Sequence, residues 1–370
     1  MRLLFVARAI DGMAGGVERI ITVLMNALSS RGHQVDLLTW DRASAQSFYP
    51  IDSEIVWHRL GLGDPKVRAS AGLMLRRRQA VRRVIRQRQP QVIVCFQDGP
   101  YVAVRGYSLG LGVPVIAAER NAPDRFDHTS AARYRGIIYQ ALRLAARITV
   151  QCESYRERYP AFLQSRIVCI PNPVEPASAQ ARPDMPDGAG RYRLLSVGRL
   201  GYQKNYQVLV AAFARLAARY PDWDLAIVGE GEDRASLEAF IGAKGLENRV
   251  FLPGVTKSID EWYASSHLFC LSSRWEGFPN ALAEALAHGL PAVGFADCAG
   301  VRDLIVSGST GFLAPGNGDV DALAEALGKA MQDAEARRRM SSAASESVRS
   351  FHPGQVLSKW EELLSEVARV

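Results

Sequence analysis

A chain of 370 residues exceeds what a single hydrophobic core usually supports, so two domains are expected. With 48% hydrophobic and 22% charged residues it has ordinary globular composition, and no run approaches the roughly 18–20 apolar residues of a bilayer span. The net charge of +7 conceals an asymmetry: residues 1–172 hold 25 Lys/Arg against 13 Asp/Glu, or +12, and residues 173–370 hold 20 against 25, or −5. Nearly all of the first-half cations are arginine, so that half is expected to meet something anionic. Cys95, Cys152, Cys169, Cys270 and Cys298 are scattered without a C-x-x-C pair, which argues against a zinc or disulfide framework and fits a reducing cytoplasm.

Residues 2–7 are a short apolar run that reads as a first strand, too short for a signal-peptide core. A glycine-rich stretch over 11–16 follows, then an amphipathic helix over 17–30 ended by Gly32, then an apolar strand over 35–40. Such a unit implies a right-handed crossover in a parallel sheet. Gly15 and Gly16 open the helix and allow a ligand close to the backbone, although the spacing is not G-x-G-x-x-G. Glycines serving only the turn, or a dinucleotide site with Asp41 on a ribose, are the rival readings.

Residues 69–89 read as a helix with Leu73, Met74, Ala80, Val81, Val84 and Ile85 on one side. Arg76, Arg78, Arg82, Arg83 and Arg86 share the other side, and Arg77 falls on the apolar one. This is either a solvated basic face or a contact for anionic headgroups or an acceptor's diphosphate. It lacks the interleaved aromatics of a nucleic-acid surface. Buried strands are expected over 91–96, 113–118 and 146–151. Asp98, in Gln97-Asp98-Gly99-Pro100, is either turn chemistry or an acceptor contact. Arg120, in Glu119-Arg120-Asn121-Ala122-Pro123, either binds phosphate or acceptor hydroxyls or pairs with Glu119 or Asp124.

A strand over 167–170 ends in Pro171-Asn172-Pro173, and the polar stretch 173–190 reads as a linker between domains at 1–172 and 191–352. The second domain opens with a strand over 192–198, after which come Arg199, Lys204 and Asn205. Strands over 225–229 and 250–252 lead into turns carrying Gly231 and Gly254. Leu268–Leu271 is a further buried strand. In the stretch that follows it, Pro279 suits the first turn of a helix, and Gly289 and Pro291 stop that helix. Glu276 then sits in the loop and Glu284 inside the helix. The loop and helix start, with Gly277, Phe278 and Asn280, offer backbone N–H groups and a positive dipole end suited to phosphate. Carboxylates on either side could grip hydroxyls, as a nucleotide-sugar would require. Helices over 322–331 and 334–348 follow, and a break at Phe351-His352-Pro353 leads to a last amphipathic helix in 353–370.

The spacing of Glu276 and Glu284 within EGFPNALAEALAHGLPAV resembles the acidic signature of the retaining glycosyltransferases of family 4. GVRDLIVSGSTGFLAPGN, VGRLGYQKN and GGVERIITVLMNALSSRGHQVDLLT are similar to other segments of that family, in its order. The resemblance implies an α/β protein of the GT-B type: two Rossmann-like domains facing across a cleft, with the tail helix crossing back to the first. It implies that the glycine loop with Gly15 and Gly16 faces the cleft, that the second domain holds the donor nucleotide and that the first holds the acceptor. Arg199, Lys204 and the N–H groups of Gly277 and Phe278 would stabilise the departing diphosphate. Glu284 would bind ribose hydroxyls, Glu276 the transferred sugar, and Gly231 and Gly254 would flank the base. Where many members carry a histidine, this chain has Arg120 and Asn121, a form similar to that of a subset. The implied activity is retaining transfer of a hexose or N-acetylhexosamine from a UDP-linked donor to a lipid-linked or polysaccharide acceptor. No cofactor or metal is expected, nor a nucleic-acid partner. A peripheral place at the inner face of the plasma membrane, against its anionic surface, is. A nucleotide-sugar 2-epimerase of the same architecture, or a non-catalytic sugar-binding subunit, is the alternative.

Overall fold

A computed structural model of the chain describes every residue except Ala14, Pro65, Lys66, Arg68 and Val370. Ala14 of the glycine-rich loop and Val370 of the expected tail helix thus lie outside the described residues. The chain divides into two compact units, Met1–Pro173 with Gly354–Val370, and Val174–Pro353.

In the first unit seven strands form one sheet: β1 (Arg2–Val6), β2 (Gln34–Thr39), β3 (Val56–Arg59), β4 (Val92–Phe96), β5 (Val115–Ala118), β6 (Ile148–Val150) and β7 (Ile167–Cys169). Their order is β3-β2-β1-β4-β5-β6-β7, and every neighbouring pair is parallel. The near-continuous apolar runs LLFV and VIVCF follow from a sheet covered on both faces. The helix Gly16–Ser30 lays Leu24, Met25 and Leu28 on that sheet, and Phe5 stacks on Phe96 with centroids 5.7 Å apart. The tail helix Pro353–Ala368 adds Val356, Trp360, Leu363 and Leu364 to the same core.

The second unit has six strands: β8 (Tyr192–Val197), β9 (Trp223–Val228), β10 (Val250–Gly254), β11 (Leu268–Leu271), β12 (Ala292–Phe295) and β13 (Gly311–Ala314). The order is β10-β9-β8-β11-β12-β13, again wholly parallel. The stretch read as a linker packs on this unit: Ala181 is buried, and its N–H bonds the His288 carbonyl at 2.8 Å.

One local reading changes, and one is explained. Asp98-Gly99-Pro100 is the first turn of the ten-residue helix Asp98–Tyr107, where a proline costs no hydrogen bond. Arg77 is buried, and its Nε donates to the Leu62 carbonyl at 2.9 Å, which explains a guanidinium on the apolar side of Ala71–Arg88.

Candidate functional site

In a doubly wound parallel sheet the crevice for a ligand opens where the winding reverses, beyond the C-terminal ends of the strands. In the second unit that point lies between β8 and β11. The loops leaving these two strands carry Lys204 and Glu276. They meet there: Lys204 Nζ donates to Glu276 Oε1 at 2.7 Å, and Ser273 Oγ donates to the same oxygen at 2.5 Å. Both side chains are largely buried, 17% and 6% exposed. A buried ion pair needs such extra donors to offset its lost hydration.

The two loops are fastened by further bonds. Ser272 Oγ donates to the Lys204 carbonyl at 2.9 Å, and Gln203 Nε2 donates to the Trp275 carbonyl at 2.7 Å. Arg274 stacks its guanidinium 4.4 Å from the centroid of Tyr202 and donates to Asn205 Oδ1 at 2.8 Å. Asn317 Nδ2 closes the set on the Arg274 carbonyl at 2.7 Å. Asn205 takes a left-handed conformation, φ 56°, immediately before the helix Tyr206–Leu216. Among the described residues, the N–H groups of Gly277 and Phe278 find no acceptor. Phe278 itself is buried against Phe351, with ring centroids 5.9 Å apart.

Beside these loops the turns after β8, β9 and β10 pack backbone to backbone. Gly198 N–H bonds the Val228 carbonyl at 3.0 Å, Leu200 N–H the Glu230 carbonyl at 2.9 Å, and Gly229 N–H the Gly254 carbonyl at 2.9 Å. A Cβ on Gly229 would lie 2.0 Å from the Gly198 oxygen, and one on Gly231 would lie 2.2 Å from the Leu200 oxygen. Only glycine permits this approach.

The helix Asn280–Ala287 carries Glu284, whose Oε2 accepts from Tyr263 OH at 3.0 Å. Arg199 stands apart from the Lys204–Glu276 pair. It is 76% exposed and its Nε donates to Glu232 Oε2 at 2.9 Å. Sequence reasoning assigned nothing to Ser273, Arg274 or Tyr263. The first two stand just ahead of Glu276 in the chain, so adjacency to it was the available signal.

In the first unit the winding reverses between β1 and β4. Asp98 leaves β4 and pairs with Arg125 at 2.6 Å. Glu119 is buried, and burial, then the Asp98 charge, raises its carboxyl to about 8. Among the described residues no hydrogen bond or ion pair joins Glu119 to Arg120: Glu119 Oε1 and Arg120 Nε and Nη2 are buried without partners. Asp124 is engaged by Arg158 at 3.1 Å. Arg120 instead packs between Phe96 and Trp360, 5.2 and 5.4 Å from their centroids, and donates to Asn172 Oδ1 at 3.2 Å. On the arginine-rich helix, Arg76, Arg78, Arg83 and Arg86 are exposed. Arg82 is tied down by bonds to the Tyr107 and Leu109 carbonyls at 3.0 and 2.9 Å, so it does not belong to a free basic face.

Residues 14–178 match the family described as Glycosyltransferase Family 4, and residues 180–347 the family described as Glycosyl transferases group 1. An uncharacterized glycosyltransferase of Haemophilus influenzae is 26% identical over 95% of this chain and 97% of its own. A Campylobacter jejuni α-1,4-N-acetyl-D-galactosaminyltransferase, named for a GalNAc-bearing diphosphoundecaprenol substrate, is 24% identical over 99% of both chains. The solved sucrose-phosphate synthase of Thermosynechococcus elongatus superposes with a TM-score of 0.84 at 18% identity, covering 99% of this chain and 98% of its own. That likeness is of the GT-B fold.

Proposed function

We propose, from the premise that this chain belongs to the GT-B glycosyltransferases of family 4 and group 1, that it moves a hexose or N-acetylhexosamine from a UDP-linked donor to a lipid-linked or polysaccharide acceptor in surface-glycan synthesis. The observation that carries this reading is the Lys204–Glu276 pair at the reversal point of the second sheet, beside the N–H groups of Gly277 and Phe278, which find no acceptor among the described residues. The Campylobacter relative, named for a lipid diphosphate substrate, supports the choice of acceptor.

In this reading the donor's diphosphate takes the Lys204 ammonium, and the two amides stabilise the charge that builds as the glycosidic C–O bond breaks. Glu276, released from Lys204, holds hydroxyls of the transferred sugar. Glu284 binds the ribose hydroxyls, and Gly231 and Gly254 flank the base. Arg199 exchanges Glu232 for a phosphate oxygen, since exposed ion pairs are weak and readily replaced. Asp98 meets the acceptor, Arg120 reaches it or a phosphate oxygen by leaving Asn172, and the Gly15 and Gly16 amides face the nucleotide-sugar. The acceptor attacks from the face that the diphosphate leaves, its proton passing to the departing phosphate, so the anomeric configuration is retained. Cations and amides neutralise the diphosphate without a metal.

Lys204→Ala and Glu284→Ala are each expected to lower kcat/KM at least about tenfold, some 1.4 kcal/mol, in transfer from a UDP-sugar. Undiminished turnover in both, with donor at or below KM, contradicts the assignment. Activity is expected to survive EDTA, and loss on chelation with rescue by Mn²⁺ contradicts the metal-free scheme. Among UDP, GDP, ADP and TDP, UDP is expected to raise Tm most.

A further inference from the structure

A cavity of about 530 Å³ opens in the first unit between the C-terminal ends of β1 and β4 and the helix Ala71–Arg88. Arg8, Arg77 and Arg133 line it, with Trp40, Tyr107 and Tyr134 as aromatic walls. Among the described residues that line it there is no Asp or Glu. The adjacent Asp98 is already held by Arg125.

Arg8 makes no ion pair among the described residues, and its Nη2 lies 2.8 Å from where a Cβ on Gly99 would sit, against the first turn of Asp98–Tyr107. Arg77 is 8% exposed, and among the described residues its buried Nη2 has no acceptor although its Nε bonds Leu62. Burial lowers the Arg77 guanidinium below its ordinary range, and the nearby Arg8 charge lowers it further. Buried guanidinium hydrogens are normally satisfied, so an orphan beside a second unpaired cation marks the place of a missing acceptor. Met74 and Tyr134, 46% and 42% exposed, add apolar surface at the rim.

We infer that this cavity is the acceptor's anionic subsite, taking a phosphate or diphosphate carried on an apolar chain. Arg8, Arg77 and Arg133 fork onto the phosphate oxygens, and Met74, Tyr107 and Tyr134 lie along the chain. The inference rests on the acceptor reading above. It places the acceptor's phosphate on Arg8, Arg77 and Arg133 and leaves the solvent-facing row of the helix to the bilayer surface.

The test is a calorimetric titration of the full chain with farnesyl diphosphate, beside farnesol and inorganic pyrophosphate as its two halves. Arg8 and Arg133 are exposed, so Arg8→Gln and Arg133→Gln leave the core intact. Each is expected to weaken farnesyl diphosphate binding at least about tenfold and to flatten its salt dependence, while the UDP-induced rise in Tm stays at the wild-type value. Unchanged affinity in both variants, or no binding by the wild type, overturns the subsite. Farnesol binding as tightly as the diphosphate overturns the role of the arginines, and pyrophosphate doing so overturns that of the apolar wall. A wild type that binds farnesyl diphosphate but shows no UDP shift instead removes the donor reading and leaves the subsite standing.

Discussion

His267 shows at one residue how surroundings set protonation and, through it, stability. Arg193 N–H donates to its Nδ1 at 2.8 Å, and its Nε2–H donates to the Met185 carbonyl at 2.8 Å, so the neutral ring satisfies both neighbours. Burial, then the Arg337 and Arg193 charges, pushes its pKa down to about 4 from 6.5. The folded state therefore binds this proton less readily than the unfolded chain. Its stabilising contribution is complete above pH 6.5 and is lost as pH falls toward 4. Wild-type Tm should drop through that window, and His267→Gln should lower Tm at pH 7 yet flatten the drop. Parallel profiles would refute the linkage. Glu119 has the opposite sign: with its folded pKa raised to about 8, it favours folding below the ordinary carboxylate range and loses that contribution as pH rises through 8.

Elements were legible wherever one period dominated. The runs LLFV, VIVCF and LFCL announce strands because both faces of each sheet are covered, and the amphipathic pattern of the tail helix announces a core-facing stripe. Asp98–Tyr107 escaped because Asp-Gly-Pro is turn chemistry and first-turn helix chemistry alike, and only the chain that follows decides between them. The glycine turns behave as one element. Gly229→Ala places a methyl 2.0 Å from the Gly198 oxygen, with rigid backbone on both sides. We expect it to cost about 1–3 kcal/mol in urea unfolding and to weaken UDP binding by moving the β8 loop. A variant with wild-type stability and wild-type UDP affinity would show that this packing is incidental.

The whole molecule is polarised by charge, +12 in residues 1–172 against −5 in the remainder. Among the described residues no helix is long and apolar enough to cross a membrane. Exposed Arg78, Arg83 and Arg86 project from one helix, and each arginine near an anionic bilayer adds on the order of 1 kcal/mol. The triple change Arg78→Glu, Arg83→Glu and Arg86→Glu should abolish co-flotation with phosphatidylserine vesicles at low salt. Unchanged flotation would dismiss this face as a docking surface.

Sequence by itself determined the two-sheet α/β plan and the family, and singled out the loops after β8 and β11, because hydrophobic period and motif spacing are properties of neighbours along the chain. The ion pair between Lys204 and Glu276, the bond of Arg199 to Glu232 and, among the described residues, the orphaned Arg77 Nη2 were decided only by tertiary structure. Each depends on which strand ends lie side by side in a parallel sheet. Residues 72 positions apart become a 2.7 Å contact only once β8 and β11 adjoin.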